Sequence, residues 1–390
     1  MTSESSTRIE SIDLLKGLVM VIMALDHTRD YVHASAFYID PTDPAHTTIA
    51  AYLTRWITHF CAPIFSFLAG ISAFLMGRKK TKSELSGFLI KRGLWLMFLE
   101  LTVINFAWYF DWQFRTPTLV VIWVLGVSMV VLGALIHLPR TAILIFSLVL
   151  IAGHNLLDNV HFDGNYFWAI LHEFNYFPIG TESHLVVGYP IIPWIAVMSL
   201  GYYFGSFYDK KHEATPRRKT FNIIGMFALL LFVVIRYINK YGDPTPWLHY
   251  DTHIQSLMSF MNPNKYPPSL LYLLMTLGGA FLFLANSESW RGKVVKFFVT
   301  FGRVPFFYYV LHLYLIHLIA MALAHFTDFG WQAMILPTWV SLVTTLQGYG
   351  FDLWVVYLVW IVVIMILYPL CRKFDLYKSS HKEKWWLSYL

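Results

Sequence analysis

Long apolar stretches separated by short polar ones run the whole length of the chain. Runs of about 16–28 residues recur, and only helices or closed barrels can cross lipid with every backbone group satisfied. The pattern predicts spans at Ile12–Tyr31, Ile49–Met76, Phe88–Tyr109, Leu119–Ile136, Ala142–Leu157, Tyr189–Tyr208, Phe221–Ile238, Leu270–Ala285, Val304–Ala324 and Leu353–Cys371. Trp331–Leu346 is also apolar, but Pro337 and several Thr and Ser residues suit an interfacial or re-entrant piece better than a further span. The expected fold is an all-α integral membrane protein, a bundle of about ten transmembrane helices. No repeat or low-complexity linker interrupts it, so residues 1–390 are expected to form one polytopic domain.

Composition sharpens the class. Of 390 residues, 57% are hydrophobic and 13% charged, where soluble domains run near one-quarter charged. Mean hydropathy is +0.54. Charge placement then orients the bundle. With the N-terminus inside and spans alternating, Arg8, the Arg78–Lys82 cluster, Lys210, Lys211, Lys293 and the C-terminal cations all fall on the cytoplasmic side. Six of the 29 Lys and Arg do not: Arg29, Arg55, Arg115, Arg236, Lys240 and Lys265. Both termini are expected in the cytoplasm. The net charge of +6 thus reads as membrane-anchoring charge, and no basic soluble face points to nucleic acid. No small-residue cleavage site follows the polar Met1–Glu10 tail, so the first helix is expected to stay. Cys61 and Cys371 fall in different spans, which suggests neither a disulfide nor a thiolate metal site.

Ionisable side chains inside spans cost roughly 2.5–3.5 kcal/mol each on insertion scales, so they usually face a cavity and carry function. The first helix holds Lys16 near one end and Asp26-His27 near the other. Eleven residues separate Lys16 from His27, which places them within about 20° of one face and about 16 Å apart along the axis. One face therefore offers a cation near one membrane surface and an imidazole near the other. Arg55 and His59 share a helical face by their spacing of four, and Glu100, Asn105, His312 and His317 are further polar groups at depth. Of the 16 histidines, only His137, His212 and His381 fall clearly in the cytoplasm. Plainer readings stand beside these: Arg55 as the structural partner of Asp26 or Glu100, and cations at helix ends as topology determinants. His154, Asp158 and His161 share helical spacing, and His249-Tyr250-Asp251-Thr252-His253 brackets an acid with two imidazoles. Neither matches a strong metal signature, so no metal is expected.

The run Arg8-Ile9-Glu10-Ser11-Ile12-Asp13-Leu14-Leu15-Lys16-Gly17, continuing to Asp26-His27, resembles the opening of the heparan-α-glucosaminide N-acetyltransferase-like family of transmembrane acyltransferases. Further runs resemble its compact bacterial branch: Thr58-His59-Phe60-Cys61-Ala62-Pro63, Gly153-His154-Asn155-Leu156-Leu157-Asp158, Tyr189-Pro190-Ile191-Ile192-Pro193-Trp194, Lys265-Tyr266-Pro267-Pro268 and Gly302-Arg303-Val304-Pro305 through His312. Lys16 stands where the family usually has Arg. The resemblance implies a bacterial inner-membrane enzyme. It would move an acetyl group from cytosolic acetyl-CoA, as co-substrate, to an amino sugar or other small sugar acceptor on the exoplasmic side. The family's catalytic histidine follows the first helix in a Lys-His-Ala-Ser context, matched most nearly by Val32-His33-Ala34-Ser35, which gives that role to His33. His27 would then align thioester or acceptor.

Acyl transfer needs a base for the attacking group and donors for the developing oxyanion. His27 or His33 suits the first task, as general base or as acyl carrier, with Asp26 or Asp30 to orient the ring, and Arg55, His59, His317 or Asn105 suits the second. Cations at the cytoplasmic helix ends, Lys16, Lys91, Arg92 and Arg303, suit the phosphates of CoA. A homodimer is compatible with the sequence, though nothing in it demands one. The rival class is a proton-coupled small-molecule transporter with Asp26, His27, Glu100 and His317 as relay. No inverted repeat or matched pair of broken helices supports it. A purely structural membrane protein would leave the buried ionisable groups without a purpose.

Overall fold

A computed structural model describes residues 9–209 and 214–388. Arg8, Lys210, Lys211 and His212 lie outside the described residues. Helices occupy all ten apolar stretches, and among the described residues seven are long and apolar enough to cross a membrane: Ile49–Gly77, Arg140–Leu157, Ile191–Tyr208, Ala214–Ile238, Leu270–Ser287, Pro305–His325 and Leu353–Ser380. Val121–Leu135 is a shorter apolar helix. The first helix, Glu10–Val32, and the helix Lys82–Leu99 differ from these by their charge rather than their length. Trp331–Leu346 forms no long helix; three short 3₁₀ turns fold it against the bundle and bury Met334, Leu336, Val340, Val343 and Leu346.

The first helix is the hub. Nearly all its residues are buried, polar ones included, and it touches the Cys61–Gly77, Lys293–Arg303, Pro305–His325 and Leu353–Ser380 helices. Close approach there rests on glycine. A Cβ on Gly17 would lie 1.8 Å from the Phe298 carbonyl oxygen, and one on Gly302 would lie 1.8 Å from that of Asp13. Gly70 and Gly201 make the same kind of crossing between Ile49–Gly77 and Ile191–Gly205, each 2.0 Å from a facing carbonyl oxygen. Small residues at a crossing replace side-chain bulk with backbone contact, the usual device for helix association in lipid. By contrast, Ala214–Ile238 exposes Ile223, Met226, Phe227 and Leu230 along its outer side.

Local breaks place the polar groups. Pro63 has no N–H for the His59 carbonyl, and a 3₁₀ stretch, Ile57–Phe60, interrupts the second long helix there. The Tyr272 hydroxyl donates to that freed carbonyl at 2.6 Å. A π-turn at Glu100–Ile104 breaks the helix that a Thr81–Glu84 capping box starts. One feature departs from the all-α expectation. A small sheet forms from β1 (Thr118–Leu119), β2 (Asn175–Pro178) and β3 (His184–Val187), in the order β1-β3-β2, with β1 parallel and β2 antiparallel to β3. Strands of two to four residues are too short to leave a period in the sequence.

Candidate active site

Three cavities lie end to end along the first helix. The first, about 270 Å³, is walled by Asp13, Lys16, Arg92, Arg303 and Lys378 among others. The second, about 150 Å³, shares Lys16, Ser72, Arg92 and Pro305 with the first and is otherwise apolar, lined by Met20, Ala69, Ala73 and Leu125. The third, about 430 Å³, shares Met23, Phe65, Val121 and Tyr309 with the second. Its walls carry Asp26, His27, Arg29, Asp30, Arg55, Lys265 and Tyr266. A basic mouth, an apolar waist and a charged chamber thus line one helix face. That is the face on which sequence spacing puts Lys16 and His27.

At the mouth, Lys16 Nζ donates to Ser72 Oγ at 3.4 Å. Arg303 ends the Lys293–Arg303 helix and donates to Asp375 at 3.3 Å. Lys91 does not join them. It is exposed and lines none of the three cavities, because one residue's step of 100° turns it away from Arg92. Lys378, by sequence position no more than a topology charge, stands in the mouth instead.

In the chamber, Asp26 gathers the charges. Arg55 donates to one of its oxygens, Arg29 donates to the other at 3.2 Å, and Lys265 Nζ lies 3.9 Å away. Arg29 also donates to Asp30 at 2.5 Å, so Asp30 serves Arg29 rather than His27. Of the two partners open to Arg55, the structure selects Asp26. Three cations against Asp26 and Asp30 make a buried network in which each partner offsets the desolvation of the next. Lys265 and Tyr266 come from a distant loop that spacing could not connect to the first helix. In that loop, burial pushes the Tyr266 phenol up, yet Lys265 and Arg55 outweigh it and hold the group below its ordinary value.

His27 is oriented by a partner. Its Nδ1 lies 2.8 Å from His312 Nε2, and His312 Nδ1 lies 3.0 Å from the Tyr308 carbonyl. A carbonyl only accepts, so His312 carries its proton on Nδ1 and offers Nε2 as a lone pair. His27 Nδ1–H then donates to it, which leaves His27 Nε2 as the basic nitrogen. No hydrogen-bond partner occupies Nε2 among the described residues, and His27 lines the chamber. The Trp108 and Tyr309 rings stand edge-on to His27, at 4.8 and 6.4 Å between centroids.

Other candidates stand elsewhere. His33 caps the first helix, and its Nδ1 faces Ser35 Oγ at 2.7 Å. Gly350 passes so close that a Cβ would lie 2.5 Å from Ala34 Cα, and Phe351 pairs with His33 as a bridge. His33 lines no wall of the three cavities. Burial, helped by Arg29 and opposed by Asp352, holds its imidazole below the ordinary value. His59 sits in the 3₁₀ stretch with Nδ1 3.3 Å from the Arg55 carbonyl and, unlike Arg55, lines none of the three cavities. Its ring lies against Tyr272 at 5.6 Å. His317 lies between the Ala107 and Met334 carbonyls, 2.9 Å from Nδ1 and 2.7 Å from Nε2, and donates to one of them, away from the chamber walls. Glu100 accepts from the Ile122 and Trp123 amides at the start of Val121–Leu135, an acid against a helix N-terminus. Asn105 donates to the Thr116 carbonyl at 2.7 Å. Neither residue lines a wall of the chamber.

The catalytic-domain family of heparan-alpha-glucosaminide N-acetyltransferase matches residues 8–237 of the chain. No curated protein matches it. The chain belongs to that family, which is one of acetyltransferases.

Proposed function

We propose that the protein transfers an acetyl group from acetyl-CoA, bound at the basic mouth, to a sugar acceptor in the Asp26 chamber, with His27 as general base. The single observation that carries this reading is the succession of three cavities along one helix. The cations lie at one end, and the open nitrogen of an oriented imidazole lies at the other. Acetyl-CoA would bring a thioester whose carbonyl accepts the new bond. Lys16, Arg92, Arg303 and Lys378 suit its phosphates, the apolar waist suits an extended arm, and about 16 Å of helix separates Lys16 from His27. His27 Nε2 takes the proton from the acceptor's amine or hydroxyl as that group attacks, and the thiolate leaves as the carbonyl re-forms. Arg55 and Lys265, both on the chamber wall and both beside Asp26, suit the developing oxyanion.

The same proposal includes ten crossings with both termini in the cytoplasm, so that the mouth faces cytosolic acetyl-CoA and the chamber opens outward. A proton-coupled transporter needs Asp26, His27, Glu100 and His317 in one relay. Glu100 and His317 are each bound to backbone groups away from the chamber, which weighs against that reading. Proteoliposomes test the reaction. With labelled acetyl-CoA on the mouth side and glucosamine on the other, label is expected on the amino sugar while intact CoA stays behind. Label that appears across the bilayer only in unreacted solute would establish transport and overturn the enzyme.

A further inference from the structure

A second cluster of imidazoles lies outside the chamber. Among the described residues, His154, Asp158 and His172 each offer a ligand atom, and these atoms lie within 4.8 Å of one another. His154 begins the 3₁₀ turn His154–Leu157 that ends the Arg140–Leu157 helix, and His172 ends the short helix Tyr166–His172. Both histidines are buried, at 2% and 1% exposure. Among the described residues, neither nitrogen of His154 has a hydrogen-bond partner, and Nδ1 of His172 has none either. A neutral imidazole must donate from one nitrogen and accept at the other, and burying either without a partner is unfavourable. Three such atoms in one cluster are too many for an ordinary hydrogen-bonded core.

We propose that His154, Asp158 and His172 bind a divalent transition-metal ion of the zinc class. Two imidazoles and a carboxylate are a zinc ligand set, with a fourth position left for water. His172 Nε2 already lies 3.1 Å from Asp158 Oδ1, close to the roughly 3.3 Å between ligands that bonds of about 2.0–2.1 Å impose in a tetrahedron. All three ligand atoms lie within 4.8 Å of one another, so closing to the roughly 3.3 Å of a tetrahedral set needs a movement of about 1.5 Å at most. Asp158 keeps 12% of its side chain exposed, which leaves a way in for the ion. Its outer oxygen accepts from Asn155 Nδ2 at 2.8 Å, the kind of supporting bond that fixes a coordinating carboxylate. Asn155 Oδ1 in turn accepts the Leu270 amide at 2.8 Å. The ion would therefore pin two loops to the start of Leu270–Ser287, five residues beyond Lys265. His161, the partner that helical spacing suggested, is not in the cluster. It is exposed and faces Glu173 at 2.8 Å.

The test uses the full chain in detergent, stripped with chelator and titrated with Zn(II) against a chromogenic competitor. One ion per chain is expected, with a rise in Tm on binding, and Co(II) in its place should show the visible bands of a four-coordinate N/O site. H154A and H172A should each lose at least about 100-fold in affinity, beyond the 10–100-fold typical of outer supporting residues. H161A and H249A should bind as the wild type does. D158N, which keeps the side chain's shape and one acceptor oxygen, covers the case in which a histidine variant does not fold, and it should lose the site as well. Absence of stoichiometric Zn(II) binding by the wild type would overturn the proposal. So would retention by D158N together with loss in H249A, which would move the ion to the His249–His253 segment.

Discussion

His27 and His312 are 285 positions apart in sequence and meet edge to edge at 2.8 Å, Nδ1 to Nε2, with their ring planes within 14° of each other. The contact fixes which nitrogen of His27 faces the chamber. His27→Ala is therefore expected to lower acetyl transfer by about 10²–10⁴-fold, the usual loss for a general base, with acetyl-CoA binding retained. His312→Ala should leave a base of undirected tautomer and give a smaller loss. Transfer assays beside a binding measurement on each variant check both. Full turnover by the His27 variant would remove it from the mechanism.

The pH profile separates the two histidines of the first helix and its cap. Only the neutral imidazole has a lone pair to accept a proton, so the rate should fall as pH drops through the base's pKa. His33 is held below its ordinary value by burial and Arg29. His33→Gln should leave the acidic limb of wild type in place, because His33 faces Ser35 rather than the chamber. A limb that shifts or vanishes in this variant would return the role of base to His33.

Mouth cations should act on CoA rather than on acceptor. Lys16→Ala or Arg92→Ala is expected to raise the KM for acetyl-CoA by about 10–100-fold, the scale of one lost charge-assisted hydrogen bond of about 1.5–3 kcal/mol. Acceptor KM should hardly change. Lys91→Ala serves as control, since it lines no cavity. Steady-state kinetics in both substrates decides the matter. Equal KM values for acetyl-CoA in all three variants would leave these residues as topology determinants only.

Asp26 holds the chamber's cations together. Asp26→Asn leaves Arg29, Arg55 and Lys265 facing Asp30 alone, and breaking a buried network of this kind costs about 3–5 kcal/mol. A clear fall in Tm is expected along with loss of activity. The double variant Asp26→Asn with Arg55→Gln should recover part of the stability and none of the activity. A single variant that melts like wild type would show the network to be well hydrated and energetically minor.

Sidedness has its own test. Single cysteines placed in the Arg78–Lys82 loop should resist an impermeant thiol reagent in intact cells and react after the membrane is opened. Efficient labelling of intact cells would reverse the orientation and with it the direction of transfer.

Length, hydropathy and ionisable residues out of place in apolar runs are local properties, and the sequence by itself determined the features that depend on them alone. The helical membrane character, the Lys16–His27 face and the polar end of the first helix were legible because a 3.6-residue period carries geometry along one helix. That Trp331–Leu346 would form no long helix was legible from Pro337 for the same local reason. Tertiary structure decided everything that needed two helices at once. Lys265 reaches Asp26 from a loop far along the chain, and His312 reaches His27 from the Pro305–His325 helix. Five residues on that helix advance about 140°, so His312 and His317 could not both face one chamber, yet the sequence does not say which one does. His172 displaced His161 beside His154 because the chain folds back between them, and helical spacing holds only within a helix. Breaks in winding did the rest. A 3₁₀ stretch holds His59 and a π-turn begins at Glu100, so helical spacing alone did not fix the faces of residues beyond either break.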